Sequence, residues 1–245
     1  MRKETIIIPC TLIEIGYLTL SFILTQIFGQ WSALGEIIRT IFRVVAIAYF
    51  GYVYQRYFYS EKNIFNAQKI LTPSFISALC LFLLFAIAYT NAENESLGWK
   101  IIFATSGLAA GLREELFYRG LLQNFLQTKY NYKIALLVAS LLFWLSHVPF
   151  YYGQPRSLVL IAFASIIFGS IFIHTGSLVF AAAIHSLYDC ILSVNFVPFR
   201  LNNDIAVPTL FLIMLVFLLL ISKQLSVFDQ KNTTDNSDQD NFSLP

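Results

Sequence analysis

The chain has 245 residues, 57% of them hydrophobic and only 12% charged, with a mean hydropathy of +0.67. An average soluble domain carries about 25% charged residues, so the composition excludes that class and points to an integral membrane protein. A net charge of +2 is too small to argue for nucleic acid or an acidic macromolecule as partner.

The start, MRKETIII, resembles a signal peptide in its basic residues and apolar run. However, the run from Ile6 to Phe28 outlasts an h-region of about 7–15 residues and has no A-x-A-like cleavage site, so it reads as a first membrane span. A hydrocarbon core about 30 Å thick takes roughly 20 apolar residues as a helix. That length rule predicts an all-α bundle of about eight transmembrane helices, at approximately 6–28, 34–54, 73–91, 99–126, 133–151, 157–174, 177–196 and 207–222. Only HTGS separates the sixth from the seventh. No internal repeat is visible, which counts against a standard secondary transporter.

Arg2, Lys3, Arg56, Lys62, Lys69, Lys129, Lys133, Lys223 and Lys231 fall on one side of these spans, and Lys100, Arg156 and Arg200 on the other with Glu93 and Glu95. The excess of Lys and Arg predicts that both termini are cytoplasmic. The run YFGYVYQRYFY, residues 49–59, then lies at the cytoplasmic interface as an aromatic belt. Residues 226–245 form a polar, acidic tail that buries too little to fold. Cys10, Cys80 and Cys190 are far apart and form no CxxC; they read as small apolar residues.

Ionisable side chains inside spans are costly and face a bundle interior or a wet cavity. Three groups stand out: Glu114, Glu115 and Arg119 on the fourth span, His147 on the fifth, and His185 with Asp189 on the seventh. Glu115 and Arg119 are four apart and share a helical face, whereas Glu114 is rotated by about 100°. One carboxylate is thus held ionised by an arginine, and the less compensated one is the better candidate for a general base. Gly107 and Gly111, four apart, make a small-xxx-small surface for a close neighbour. His147 shares a face with Phe143, and His185 with Asp189. From the cytoplasmic ends, a rise of 1.5 Å per residue puts Glu114 roughly 18–20 Å deep, His147 roughly 21 Å and His185 roughly 12 Å. A buried ion pair or a lone membrane histidine has an ordinary structural reading; polar groups on three helices at similar depth favour one shared site. His174 reads as a surface or cap residue, and Glu14, Arg39, Arg43 and Arg113 as residues that pair among themselves or snorkel.

EELFYR at 114–119, FWLSH at 143–147 and HSLYD at 185–189 resemble, in this order, the motifs EExxxR, FxxxH and HxxxN/D of the CPBP family of intramembrane proteases. That family, also called the Abi family, includes type II CAAX prenyl endopeptidases, lysostaphin resistance protein A-like proteins and proteins linked to bacteriocin processing and immunity. The resemblance spans about residues 98–195, between N-terminal transmembrane helices (1–97), a last helix (196–225) and the tail. It implies a membrane endopeptidase in which Glu114 activates water, His147 helps hold it, His185 with residue 189 stabilises the oxyanion, and Glu115 with Arg119 organises the site. It also implies a membrane protein or peptide as substrate, a prenylated CAAX protein or a bacteriocin-like peptide, met in the bilayer, which is the cell membrane if the source is bacterial.

Asp189 stands where the motif also allows Asn. An ionised Asp cannot donate to an oxyanion, so Asp189 is protonated, orients His185 or helps bind a metal. Family members are widely labelled metalloproteases, and zinc could take His147, His185 and Glu114 as ligands, although HExxH is absent. The alternative class is a non-catalytic membrane protein, either an immunity-type binder or a solute or proton pathway.

Overall fold

The computed structural model describes residues 3–59 and 96–194, with isolated helical positions between 208 and 219. The predicted span 73–91, most of 207–222 and the tail lie outside the described residues, as does Cys80.

Among the described residues every regular element is helical. Helix α1, Lys3–Phe28, ends at Gly29, whose N–H bonds the Thr25 carbonyl at 2.9 Å. Ser32 caps α2, Ala33–Val53, by accepting from the Gly35 N–H at 3.3 Å. A short π-helical stretch, Tyr54–Phe58, follows it. Ser96 caps α3, Leu97–Glu114, in the same way. This helix continues directly into a nine-residue π-helical segment, Glu115–Gln123, and a last turn, α4, Asn124–Gln127. The predicted span at 99–126 is therefore one helix whose middle is wound wider than an α-helix. Asn131 caps α5, Tyr132–Tyr151. Pro155 opens α6, Pro155–Thr175, at a position where its missing N–H costs nothing. Gly176, with φ 68°, closes α6 in the left-handed conformation that glycine adopts freely, and α7, Leu178–Val194, starts at once. The HTGS boundary between the two predicted spans is thus a glycine cap.

Polarity is inverted relative to a soluble protein. Glu115 and Arg119 are 0% exposed, whereas Leu12 is 63% and Val179 79% exposed. Charged groups enclosed while isobutyl and isopropyl groups face outward fit hydrocarbon as the surrounding solvent. Helices α1, α5 and residues Ser157–Thr175 of α6 are long and apolar enough to cross a bilayer, and α7 contributes a shorter apolar stretch, Leu178–Ile191.

Helix α3 lies against α2 on one side and α7 on the other, and α5 pairs with α6. The α3–α7 approach depends on the predicted small residues. A Cβ at Gly111 would sit 2.6 Å from the Ser186 backbone nitrogen, and one at Gly107 3.1 Å from the Asp189 carbonyl carbon. The Ser186 hydroxyl donates to the Leu108 carbonyl at 2.9 Å across this seam. The backbones meet, and side chains of α7 are carried to the end of α3.

The aromatic run at 49–59 splits between two roles. Tyr52 and Tyr59 face outward as a belt would require, but Phe50 and Phe58 are buried in the core. The Phe50 ring lies 5.3 Å from that of Phe117. A helix that packs on one side draws half of any aromatic run inward.

Candidate active site

Glu114 is the last residue of α3 and Glu115 the first of the wider π-helical segment. Both carboxylates converge on one imidazole. The Glu115 Oε1 accepts from His185 Nδ1 at 2.9 Å, and the Glu114 Oε2 stands 3.9 Å from His185 Nε2. The same Oε2 stands 3.8 Å from His147 Nε2. The predicted gathering of Glu114, His147 and His185 from three helices is thus present in the structure. The rotation between the two glutamates, however, sends them to opposite edges of His185 and not to separate places.

Each histidine is oriented through its other nitrogen. His147 Nδ1 lies 2.8 Å from the Phe143 carbonyl, one helical turn back, and its ring sits 4.6 Å from the Phe143 ring. A carbonyl only accepts, so Nδ1 carries the proton and a neutral His147 presents a bare Nε2 to Glu114. The His185 ring stacks on Phe168 at 4.1 Å. Asp189 Oδ2 lies 3.6 Å from His185 Nε2, one turn further along α7. Asp189 thus stands beside His185, the neighbour that one of its three expected roles requires.

Arg119 pairs with Glu115 as expected, Nε to Oε2 at 3.4 Å, in a fully enclosed setting. Its firmer bond is to α6, where Nη2 donates to the Ser165 carbonyl at 2.9 Å. The guanidinium also lies 4.9 Å from the Phe143 ring centre. Arg119 thus ties the π-helical segment to α5 and α6.

Two expectations need correcting. Glu114 is not the less compensated carboxylate, because Arg113 Nη2 donates to its Oε1 at 2.8 Å, closer than the 3.4 Å between Arg119 and Glu115. The other arm of Arg113 grips Glu14 of α1, and its face lies 4.1 Å from the Tyr17 ring. Glu14 and Arg113 are 99 positions apart, and only the need of each for a partner inside lipid linked them. His174 is buried within the bundle and is not a surface residue, since Gly176 caps the helix without it.

A second residue missed from sequence is Glu36. It pairs with Arg39 at 2.5 Å and Arg43 at 2.6 Å. The spacing of three and seven on one helical face was the available signal.

The polar groups line a cavity of about 750 Å³. It reaches from Glu114, His147 and His185 past Arg43 to Trp31, Trp99 and Gln154. These last three belong to the α1–α2 turn, the start of α3 and the α5–α6 turn, at one end of the bundle. At that end the Trp99 ring stacks on Phe103 at 3.9 Å.

The predicted metal set does not fit as the side chains stand. Tetrahedral zinc ligands at about 2.0–2.1 Å from the ion lie roughly 3.3 Å from one another, and the Glu114–His147 and Glu114–His185 separations are larger. Arg113 also occupies the second Glu114 oxygen. No group of three His, Cys, Asp or Glu among the described residues is arranged to hold an ion. Gaps of 3.8 and 3.9 Å between polar atoms instead match the span bridged by one water.

A carboxylate facing two oriented imidazoles across a one-water gap, inside a bundle clad in apolar side chains, defines an integral membrane protein with a hydrolase-like polar site. Residues 96–191 match the family model described as type II CAAX prenyl endopeptidase Rce1-like. That segment, which carries α3, α5, α6 and nearly all of α7, is similar to the type II CAAX prenyl endopeptidase family. No curated protein and no solved structure matches the chain.

Proposed function

We propose that the protein is a multi-pass intramembrane endopeptidase that hydrolyses a peptide bond with a water activated by Glu114. The observation that carries this reading is the position of Glu114 Oε2, 3.8 Å from His147 Nε2 and 3.9 Å from His185 Nε2. A water between them donates one proton toward Glu114 and the other to the bare Nε2 of His147, which aims its lone pair at a substrate carbonyl. Attack forms the carbon–oxygen bond as Glu114 takes the proton. His185, as an imidazolium flanked by Glu115 and Asp189, donates from Nε2 to the oxyanion. Collapse breaks the carbon–nitrogen bond, and Glu114 returns the proton to the leaving amine. Arg113 holds Glu114 by its far oxygen and keeps the near one turned to the water.

Lys3, Arg56, Lys129 and Lys133 lie toward the end of the bundle opposite the cavity mouth. The positive-inside rule makes the Lys-bearing end cytoplasmic, so the mouth at Trp31, Trp99 and Gln154 faces the other side. This supports a peptide presented within the membrane or from its non-cytoplasmic face, in keeping with a bacteriocin-like peptide more than a cytosolic prenylated protein. Reconstituted in liposomes, wild-type protein is expected to cleave membrane peptides into products seen by mass spectrometry. The Glu114→Gln protein should bind the same peptides uncut, and cleavage by it at the wild-type rate would overturn the assignment. Metal analysis of the active protein separates the water-only mechanism from a zinc-assisted one.

A further inference from the structure

Two successive tyrosines at the end of α5 point to different solvents. Tyr152 is 82% exposed, whereas Tyr151, the last residue of the helix, is half-buried and lines the cavity. Tyr151 shares a helical face with His147, four residues back, and the two rings stack at 6.4 Å with 25° between their planes. Four residues advance about 6 Å along a helix at 1.5 Å each, so Tyr151 lies on the mouth side of His147. Asp189 stands in the same relation to His185, because α7 also runs toward the mouth. The histidines thus form one tier around Glu114, and Tyr151 with Asp189 forms a second tier between that site and the mouth. Asp189 and then Glu114 are the charged groups that act most strongly on the Tyr151 hydroxyl.

That hydroxyl bonds no described residue. Other donors beside Glu114 are committed or turned away. Arg113 divides its Nη groups between Glu14 and Glu114, and its Nε, unpartnered among the described residues, is enclosed away from the cavity. Ser146 Oγ donates to the Phe143 carbonyl at 2.6 Å, and His147 Nδ1 to the same carbonyl at 2.8 Å. An ionised Asp189 only accepts. His185 Nε2 and the Tyr151 O–H therefore stay open to an oxygen that gains negative charge next to Glu114. The backbone under Tyr151 is fixed in advance. Its carbonyl accepts from the Gln154 N–H at 2.8 Å, and two turns back Trp144 Nε1 donates to the Leu158 carbonyl of α6 at 2.9 Å. A donor held in place before the reaction stabilises developing charge without a cost of reorganisation.

We propose that Tyr151 is a further catalytic residue, whose O–H donates to the carbonyl oxygen of the peptide bond to be cut and holds the oxyanion together with His185. As water forms its carbon–oxygen bond, the carbonyl π pair moves onto the oxygen between these two donors. The phenol keeps its proton throughout, and the pair returns to carbon when the carbon–nitrogen bond breaks. This deepens the endopeptidase reading and rests on it, by naming the group that orients the substrate carbonyl from the mouth side.

The test uses the full chain in lipid nanodiscs and Tyr151→Phe, which keeps the ring and removes only the O–H. Binding is read by fluorescence anisotropy in the Glu114→Gln background, with a labelled apolar hexapeptide and its phosphinate analogue, whose tetrahedral anionic group replaces the central peptide bond. The phosphinate is expected to bind about tenfold or more tighter than the peptide, the effect of hydrogen bonds to a charged group. Adding Tyr151→Phe should weaken the phosphinate about tenfold or more and leave the peptide within about twofold. Phosphinate binding no tighter than that of the peptide overturns the proposal without any Tyr151 variant having to fold. A preference that survives Tyr151→Phe overturns it as well, and so does an equal loss of both ligands, which marks a role in shape alone. Digestion of membrane peptides reads the reaction separately: Tyr151→Phe should lower kcat about 100-fold or more at unchanged KM, the loss of one oxyanion donor. A wild-type kcat in Tyr151→Phe refutes the donor and leaves the endopeptidase reading standing. Wild-type protein that cuts no peptide refutes that reading, and the phosphinate preference then decides whether Tyr151 donates to a tetrahedral oxygen.

Discussion

The Glu36 cluster and the Glu114 cluster are both enclosed by helices, and both mix carboxylates with arginine. At Glu36 the partners are in direct contact, at 2.5 and 2.6 Å. At Glu114 one oxygen is in contact with Arg113 at 2.8 Å, while the other faces two imidazoles at 3.8 and 3.9 Å. Direct contact neutralises charge and fixes helices; a gap of one water's width between a carboxylate and two oriented imidazoles leaves room for a reaction. Buried charge alone therefore says little about catalysis, and spacing separates the structural cluster from the chemical one.

The sharpest way to break this comparison is to remove the base and leave the shape. Glu114→Gln is expected to lower kcat by about 100- to 10,000-fold, the usual contribution of a general base, with an unchanged melting profile in detergent. The corresponding Glu36→Gln change should act on stability first. Arg113→Ala comes next in size. It strands Glu14 inside the bundle, and loss of one partner of a buried pair costs about 3–5 kcal/mol. Thermal unfolding should register that loss, and the double change Arg113→Ala with Glu14→Ala should recover part of it. Enlarging the α3–α7 seam has a smaller effect. Gly111→Ala places a methyl 2.6 Å from the Ser186 backbone, forces α7 away and costs about 1–3 kcal/mol. Activity should fall further than stability, because His185 rides on α7. Val179→Ala, at a side chain 79% exposed, should stay within about 0.5 kcal/mol of wild type.

The helical class and the convergence of Glu114, His147 and His185 were legible because hydropathy sets spans and a four-residue spacing sets faces. Gly107 and Gly111 announced a close neighbour, and α7 is that neighbour. The partner of Arg113 was not legible, since Glu14 lies 99 positions away and many helix arrangements could have met its need for an acid. The wider winding at Glu115–Gln123 was equally hidden: nothing in ELFYRGLLQ distinguishes a π-helical from an α-helical turn, and packing against α5, α6 and α7 decides it. Glu36 escaped notice for a different reason. Its two arginines were visible in the second span, but the bonds of Arg43 to Tyr17 and Ser106 depend on how other helices approach.

The central claim is that Glu114 delivers a water to a peptide bond. Its most direct test is digestion of a membrane peptide in oxygen-18 water, by metal-depleted protein in liposomes, with products weighed by mass spectrometry. One heavy oxygen in each new C-terminal carboxylate made by wild type, and no product from Glu114→Gln, is the predicted result. Product formed by Glu114→Gln at the wild-type rate would contradict it, and wild-type activity that returns only when zinc is restored would replace the water-only form of the mechanism with a zinc-assisted one.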